Sequence, residues 1–193
     1  SDIEDDEYNK FYRHVSGDYQ DPLIRAHLHI EGTLVYDALL FVPRSRPWEL
    51  DRLDYKVGIK LFQKKVKVLD HASELVPRYL RFIAGVVDSP DIDLNMSREI
   101  LQKTPVVQTI RKQLTKHILK RLKEFSQQHP VEYGTFWKEF GHILKEGIHE
   151  DEGQKDLLTD LLRFRTTRSI LEEGAPVRSL AQIKEDMAEG QED

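Results

Sequence analysis

The sequence predicts a mixed α/β fold: a mixed β-sheet packed with helices, then a helical connector, then the opening of a second small subdomain. Three observations carry this reading. Strand-type patterns occupy residues 25–31, 33–42, 57–69 and 83–87. A short helical pattern at 75–82 separates the last two of these. From residue 104 onward the apolar residues recur only with helical spacing. The expected division is 1–128 for the large sheet-bearing part, 129–170 for the helical connector and 171–193 for the first helix of a truncated second unit.

Taken in order, residues 4–16 place Tyr8, Phe11, Tyr12 and Val15 on one face, carry acids in the first turn and meet Gly17 as a C-cap. That is a short amphipathic helix. After Asp21-Pro22 the pattern turns to strands. Leu28 and Ile30 alternate with His27 and His29, and the run Ala38 to Val42, ended by Pro43, reads as a more buried strand. His27 and His29 share a strand face, but a tetrahedral metal site needs a further placed ligand and none is apparent, so no metal is expected.

Residues 43–55 form a polar loop that carries Trp48, Leu50, Leu53 and Tyr55. Trp48 either folds back onto the sheet or stands out as a contact for a protein partner, as Trp often does. Residues 57–69 alternate through Ile59, Leu61, Val66 and Val68, as one strand or a bent pair. A short helix is expected from Leu75 to Phe82, entered near Pro77. A buried strand then runs from Ile83 to Val87 and closes at Asp88-Ser89-Pro90.

The stretch from Leu94 to Gln102 follows that strand, where ligands gather in open α/β sheets. Asn95 and Ser97 are good N-cap residues, and a helix starting there exposes free N–H groups and the positive end of its dipole. Arg98 in the first turn adds a forked cation, which makes a reasonable site for phosphate oxygens. The plainer alternative is a capped helix with Arg98 in water.

Thr104-Pro105 opens a long helix with the stripe Val106, Ile110, Leu114, Ile118, Leu122 and Phe125. Its other side is basic, with no acid from Lys103 to Lys123. Nucleic-acid binding through residues 105–125 is therefore an alternative, though aromatic residues for base stacking are missing. Residues 131–147 carry Phe136, Trp137, Phe140, Ile143 and Leu144, closed by Gly147. Leu157, Leu158, Leu161, Leu162 and Phe164 mark the next helix. Gly174-Ala175-Pro176 reads as a linker. Ser179 with Gln182 matches a capping box for a last helix, whose apolar side has nothing after it to cover it.

Composition narrows the classes. The 193 residues, 39% apolar, allow a sizeable core. The lack of cysteine excludes a disulfide scaffold, Cys-ligated zinc and a thiol nucleophile, and fits a reducing, cytoplasmic setting. No membrane span or signal peptide appears. The net charge of −5 hides two acidic ends, residues 1–7 and 185–193; without them 24 acids face 29 bases. No nucleophile–base pair, metal cluster or glycine-rich phosphate loop appears, so a self-contained enzyme is not expected.

Several blocks, in order, resemble the middle segment of the ninety-kilodalton heat-shock protein chaperones, most nearly their bacterial form. They are Lys10-Phe11-Tyr12, Asp21-Pro22-Leu23, Leu39 to Pro43, Gly85-Val86-Val87-Asp88-Ser89 and Leu94 to Gln102, followed by Phe136-Trp137, Gly147 to Asp151 and Leu162-Arg163-Phe164. The resemblance covers essentially the whole chain and implies αβα layering, a helical connector and the start of a smaller αβα subdomain. It also implies an ATP-driven chaperone that works as a homodimer. A preceding domain would bind ATP with Mg2+, and a following domain would dimerise. The middle segment would contact unfolded clients and complete the ATPase site. By the same resemblance Arg98 matches the arginine that reaches the γ-phosphate and Gln102 its polar companion, with Asn95 and Ser97 supporting the loop and Glu99 orienting Arg98. Trp48 and Leu50 fall in a region that resembles a client-facing surface. This chain alone would bind no ATP. A module that binds clients without any catalytic contribution is the alternative.

Overall fold

The computed structural model describes residues 3–92, 104–167 and 177–187. Two compact units divide the chain, Ser1–Ile118 and Leu119–Asp193.

The first unit is built on a five-stranded mixed sheet. Its strands are β1 (Ile24–Ile30), β2 (Tyr36–Val42), β3 (Gly58–Gln63), β4 (Val66–Leu69) and β5 (Ala84–Asp88), in the order β1-β2-β5-β3-β4. All neighbours are antiparallel except β3 and β5, which run parallel with Ile59 opposite Gly85 and Leu61 opposite Val87. The two-residue period then sets the faces. Tyr36, Ala38, Leu40, Ile59, Leu61 and Val87 share one face, and all are buried. Leu39, Phe41 and Ala84 lie on the other, where helix α1 (Asp5–Ser16) packs with Tyr8 and Tyr12. The tilted rings of Tyr12 and Phe41 stand 5.2 Å apart.

α1 forms where its pattern predicts. Asp5, Asp6 and Glu7 sit in the first turn, favourable to the helix dipole, and Gly17 takes the left-handed C-cap conformation at φ 72°. Gly85 is needed for a different reason. Its φ is 144°, and a Cβ there would lie 2.2 Å from the carbonyl oxygen of Leu39, so only glycine lets β5 pass β2 at this point. Lys64 and Lys65 connect β3 to β4, both at positive φ as a primed two-residue turn requires.

Between β4 and β5 the chain departs from expectation. The helix expected at 75–82 is two separate 3-10 turns, Ser73–Leu75 and Arg78–Leu80. Pro77 lies between them and holds Val76 extended at φ −136°, because the residue before proline is pushed out of the helical region. The apolar spacing there reflects burial of Leu75, Val76, Tyr79 and Leu80 and no continuous helix.

Helix α2 (Pro105–Gln128) begins in the first unit and ends in the second. In the first unit Val107, Ile110 and Leu114 are buried, while Arg111, Lys112 and Lys116 are exposed. Val106, expected in the apolar stripe, is half-buried, and Val107 takes the core position.

In the second unit α2 gives way to helix α3 (Pro130–Glu150) at His129, which precedes a proline and stands at φ −133°. Gly147, expected to close this helix, is buried inside it, and the helix continues one turn further. Tyr133, Phe136 and Phe140 form a row of tilted rings 5.3 and 5.4 Å apart. Helix α4 (Lys155–Leu161) follows, and the Tyr133 hydroxyl donates to the carbonyl of Leu161 at its end (2.7 Å). Phe164 was expected in this helix. It instead exchanges two backbone hydrogen bonds with Arg178, an isolated antiparallel bridge. The expected linker at Gly174-Ala175-Pro176 lies outside the described residues. Helix α5 (Leu180–Glu185) opens on the predicted capping box: the Gln182 N–H donates to Ser179 Oγ and the Ser179 N–H to Gln182 Oε1.

Candidate functional site

Asn95, Ser97, Arg98, Glu99 and Gln102 lie outside the described residues, so the site is built from the two ends that hold their segment. On the far side, the N–H of Gln108 donates to the carbonyl of Thr104 (3.1 Å), starting α2. On the near side the chain leaves β5 through Asp88, Ser89, Pro90, Asp91 and Ile92, a stretch fastened by several hydrogen bonds to distant turns.

The geometry is reciprocal around Val35, in the connection between β1 and β2. The hydroxyl of Ser89, completely buried, donates to the carbonyl of Val35 at 2.7 Å. The N–H of Val35 donates to Asp91 Oδ2 at 2.8 Å. The N–H of Asp91 in turn donates to Ser89 Oγ at 3.3 Å, closing the ring of contacts. A second fastening comes from the turn between β3 and β4. The Lys65 N–H donates to Asp88 Oδ2 (3.1 Å), and its ammonium stands 3.3 Å from the same oxygen. The Ser89 N–H donates to the carbonyl of Phe62 (3.1 Å), and Ile92 is buried. Such pairing gives otherwise unsatisfied backbone groups their partners and fixes the direction of the chain.

In the sequence this cluster is legible only as a turn. Short polar side chains such as Asp and Ser commonly bond nearby backbone, and nothing in Asp88-Ser89-Pro90-Asp91 points to Val35. The parallel pairing of β3 with β5 and the antiparallel pairing of β2 with β5 bring the two distant turns to the same end of the sheet.

Trp48 and Leu50 separate. Trp48 is 80% exposed and the Arg52 guanidinium carbon lies 6.0 Å from its ring centroid, whereas Leu50 is fully buried. Leu50 is therefore removed from the candidate client surface. Its backbone N–H donates to the carbonyl of Pro47 and its own carbonyl accepts from Arg81 Nε, which holds this part of the loop with Leu50 inward. Leu53, in the same loop, is exposed. A cleft of about 340 Å3 beside it is lined by Glu49, Arg52, Asp54, Tyr55, Lys56 and His71. Burial, with the charge of Glu49 adding to it, pushes the Tyr55 phenol above its ordinary value, so it remains an O–H donor.

His27 and His29 also separate. His27 Nδ1 is 2.9 Å from the Tyr8 hydroxyl, while His29 stands between Asp37 and Glu31. Among the described residues no group of three or more His, Cys, Asp or Glu side chains is placed to hold a metal ion. On α2 the exposed Arg121 and the half-buried Lys123 are paired with Glu124 and Asp160. No helix among the described residues is long and apolar enough to cross a membrane.

The family model described as Hsp90 protein matches residues 1–193. The chain is 43% identical over 192 residues to the chaperone protein HtpG of Salmonella paratyphi B, covering 100% of this chain and 30% of that protein. It is 44% identical over 191 residues to HtpG of Shewanella loihica, covering 99% of this chain and 30% of the relative. Among solved structures it resembles the middle domain of a Plasmodium falciparum heat shock protein, with a TM-score of 0.83 and 28% identity over 98% of this chain and 72% of that one. The chain thus spans about 30% of the length of the curated relatives it matches. With the whole chain matched by the family and its fold shared with a middle domain, it belongs to the Hsp90 family of chaperones and is a middle segment of that family.

Proposed function

We propose that this segment serves an ATP-driven chaperone by bringing Arg98 to the γ-phosphate of ATP, held with Mg2+ in a preceding domain, while its surface contacts unfolded client proteins. A following domain makes the whole a homodimer, and the protein works in the cytoplasm. Arg98 acts by charge: a preorganised cation facing the transferred phosphoryl group stabilises the charge that develops there. Gln102 is its polar companion, Asn95 and Ser97 support the segment, and Glu99 orients Arg98. The observation that supports this reading best is the match to HtpG along the whole chain, together with the closely bonded exit from β5 that leads into the segment.

The test is ATP turnover by the full-length protein carrying this segment, with Arg98→Ala beside the natural sequence. Turnover is expected to fall about a hundredfold or more, as for the loss of one engaged transition-state cation. Turnover unchanged by Arg98→Ala would sink the catalytic part. The exposure of Trp48 favours a second reading, a client-binding module with no catalytic share. In that case Trp48→Ala weakens capture of an unfolded client and Arg98→Ala affects neither assay.

A further inference from the structure

Residues that never approach the reacting atoms can decide where an arginine stands. We propose that Ser89 and Asp91 are positioning residues for Arg98: by clamping Val35 from both sides they set the point and direction from which the chain leaves β5. This inference rests on the catalytic reading of Arg98 given above.

The contacts themselves carry the argument. Val35 offers one donor and one acceptor, and both are taken by the exit segment, the carbonyl by Ser89 Oγ (2.7 Å) and the N–H by Asp91 Oδ2 (2.8 Å). The backbone N–H of Asp91 donates to Ser89 Oγ, so the Ser89 hydroxyl oxygen joins the exit backbone to the Val35 carbonyl while the Asp91 carboxylate holds the Val35 N–H. Ser89 is completely buried, which makes its hydroxyl the internal satisfier of a backbone carbonyl and costly to remove. Asp91 is exposed. A surface carboxylate that bonds a backbone N–H across the sheet's end adds little to overall stability, yet it holds one segment against another. Only five residues separate Ile92, the buried end of the clamp, from Arg98 in the sequence. A shift of about 1 Å at a reacting centre costs on the order of a hundredfold in rate, so a modest loosening at Asp91 is enough to be read in turnover.

The experiment measures kcat and KM for ATP in the full-length protein with Asp91→Ala, Asp91→Asn, Ser89→Ala and Arg98→Ala, and with Asp91→Ala combined with Arg98→Ala. Asp91→Ala is expected to lower kcat about tenfold with KM for ATP nearly unchanged. Asp91→Asn keeps an oxygen for the Val35 N–H and is expected to restore most of the rate. In the Arg98→Ala background Asp91→Ala should cost nothing further, because there is no arginine left to position. Ser89→Ala should follow Asp91→Ala where it folds; if it does not fold, the Asp91 pair decides alone. Equal losses from Asp91→Ala with and without Arg98 would overturn the proposal, since a purely structural residue acts in both backgrounds. No loss at Asp91→Ala would overturn it too. Arg98→Ala with natural turnover overturns instead the catalytic reading on which this inference rests, and is seen separately in the single variant.

Discussion

The indole of Trp137 lies across the backbone of Gly141 one helical turn later, so close that a Cβ at residue 141 would stand 2.7 Å from Cδ2 of the ring. Gly141 is buried, and the Lys145 ammonium stands 5.3 Å from the ring centroid on the next turn. Helix propensity alone predicts that Gly141→Ala stabilises α3, by about 1 kcal/mol. The contact predicts the reverse. Displacing a packed aromatic ring should cost a net of roughly 1–3 kcal/mol, read as a lower denaturant midpoint. In a Trp137→Ala background the same change should lose most of its cost, because the clash is gone.

Gly85→Ala should be worse. Its Cβ would meet the Leu39 carbonyl oxygen at 2.2 Å and its φ of 144° suits no side chain. Neither the β2–β5 pairing nor the backbone angle can relax without breaking the ladder. We expect a loss of roughly 3 kcal/mol or more, a large part of the stability of a typical domain, measured by unfolding or seen as insoluble protein.

Trp48 and Leu50 give a contrasting pair two residues apart. Leu50→Ala empties a buried site and should cost about 2–5 kcal/mol. Trp48→Ala removes an exposed ring and should change stability by no more than about 0.5 kcal/mol. Thermal unfolding of the two variants decides this before any binding assay is attempted. Equal losses would mean that Trp48 is packed as Leu50 is.

His29 should titrate above the ordinary imidazole value. The hydrogen bond to Asp37 is the largest cause, followed by that to Glu31, and both favour the charged ring. With the folded-state value raised, the stabilising contribution is fully present below the unfolded value and disappears as pH rises through the folded one. An NMR titration of the ring protons checks the direction, and Asp37→Asn should bring His29 back toward the ordinary value.

What could be read from the sequence divides along physical lines. α1 and strands β1, β2 and β5 follow from local periodicity, because burial on one face repeats every 3.6 or 2 residues. Ser179 and Gln182 were legible for a similar reason, since a capping box is complete within four residues. Where a proline cut across a helical spacing, as at Pro77, the apolar pattern survived and the helix did not. Gly147 misled in the opposite sense: glycine marks a helix end only when the left-handed conformation is used, as at Gly17, and Gly147 stays helical. Leu50 looked like part of a surface loop because composition cannot tell which side chain of a loop turns inward. The clamp on Val35 was out of reach, since its partners lie 54 and 56 residues away and no periodicity links them.

The exit from β5 also bears on the order in which the first unit can assemble. Its fastenings come from two hairpins made earlier in the chain, one through Val35 and one through Lys65, and neither hairpin touches the other in the sheet because β5 stands between them. Each separate closure costs chain entropy that only native pairing returns, so distant contacts of this kind form late. The anchorage therefore exists only after both hairpins have docked on the central strand. A half-formed sheet leaves the chain at Ile92 with no fixed point of departure, so this anchorage arrives together with the finished fold, not ahead of it.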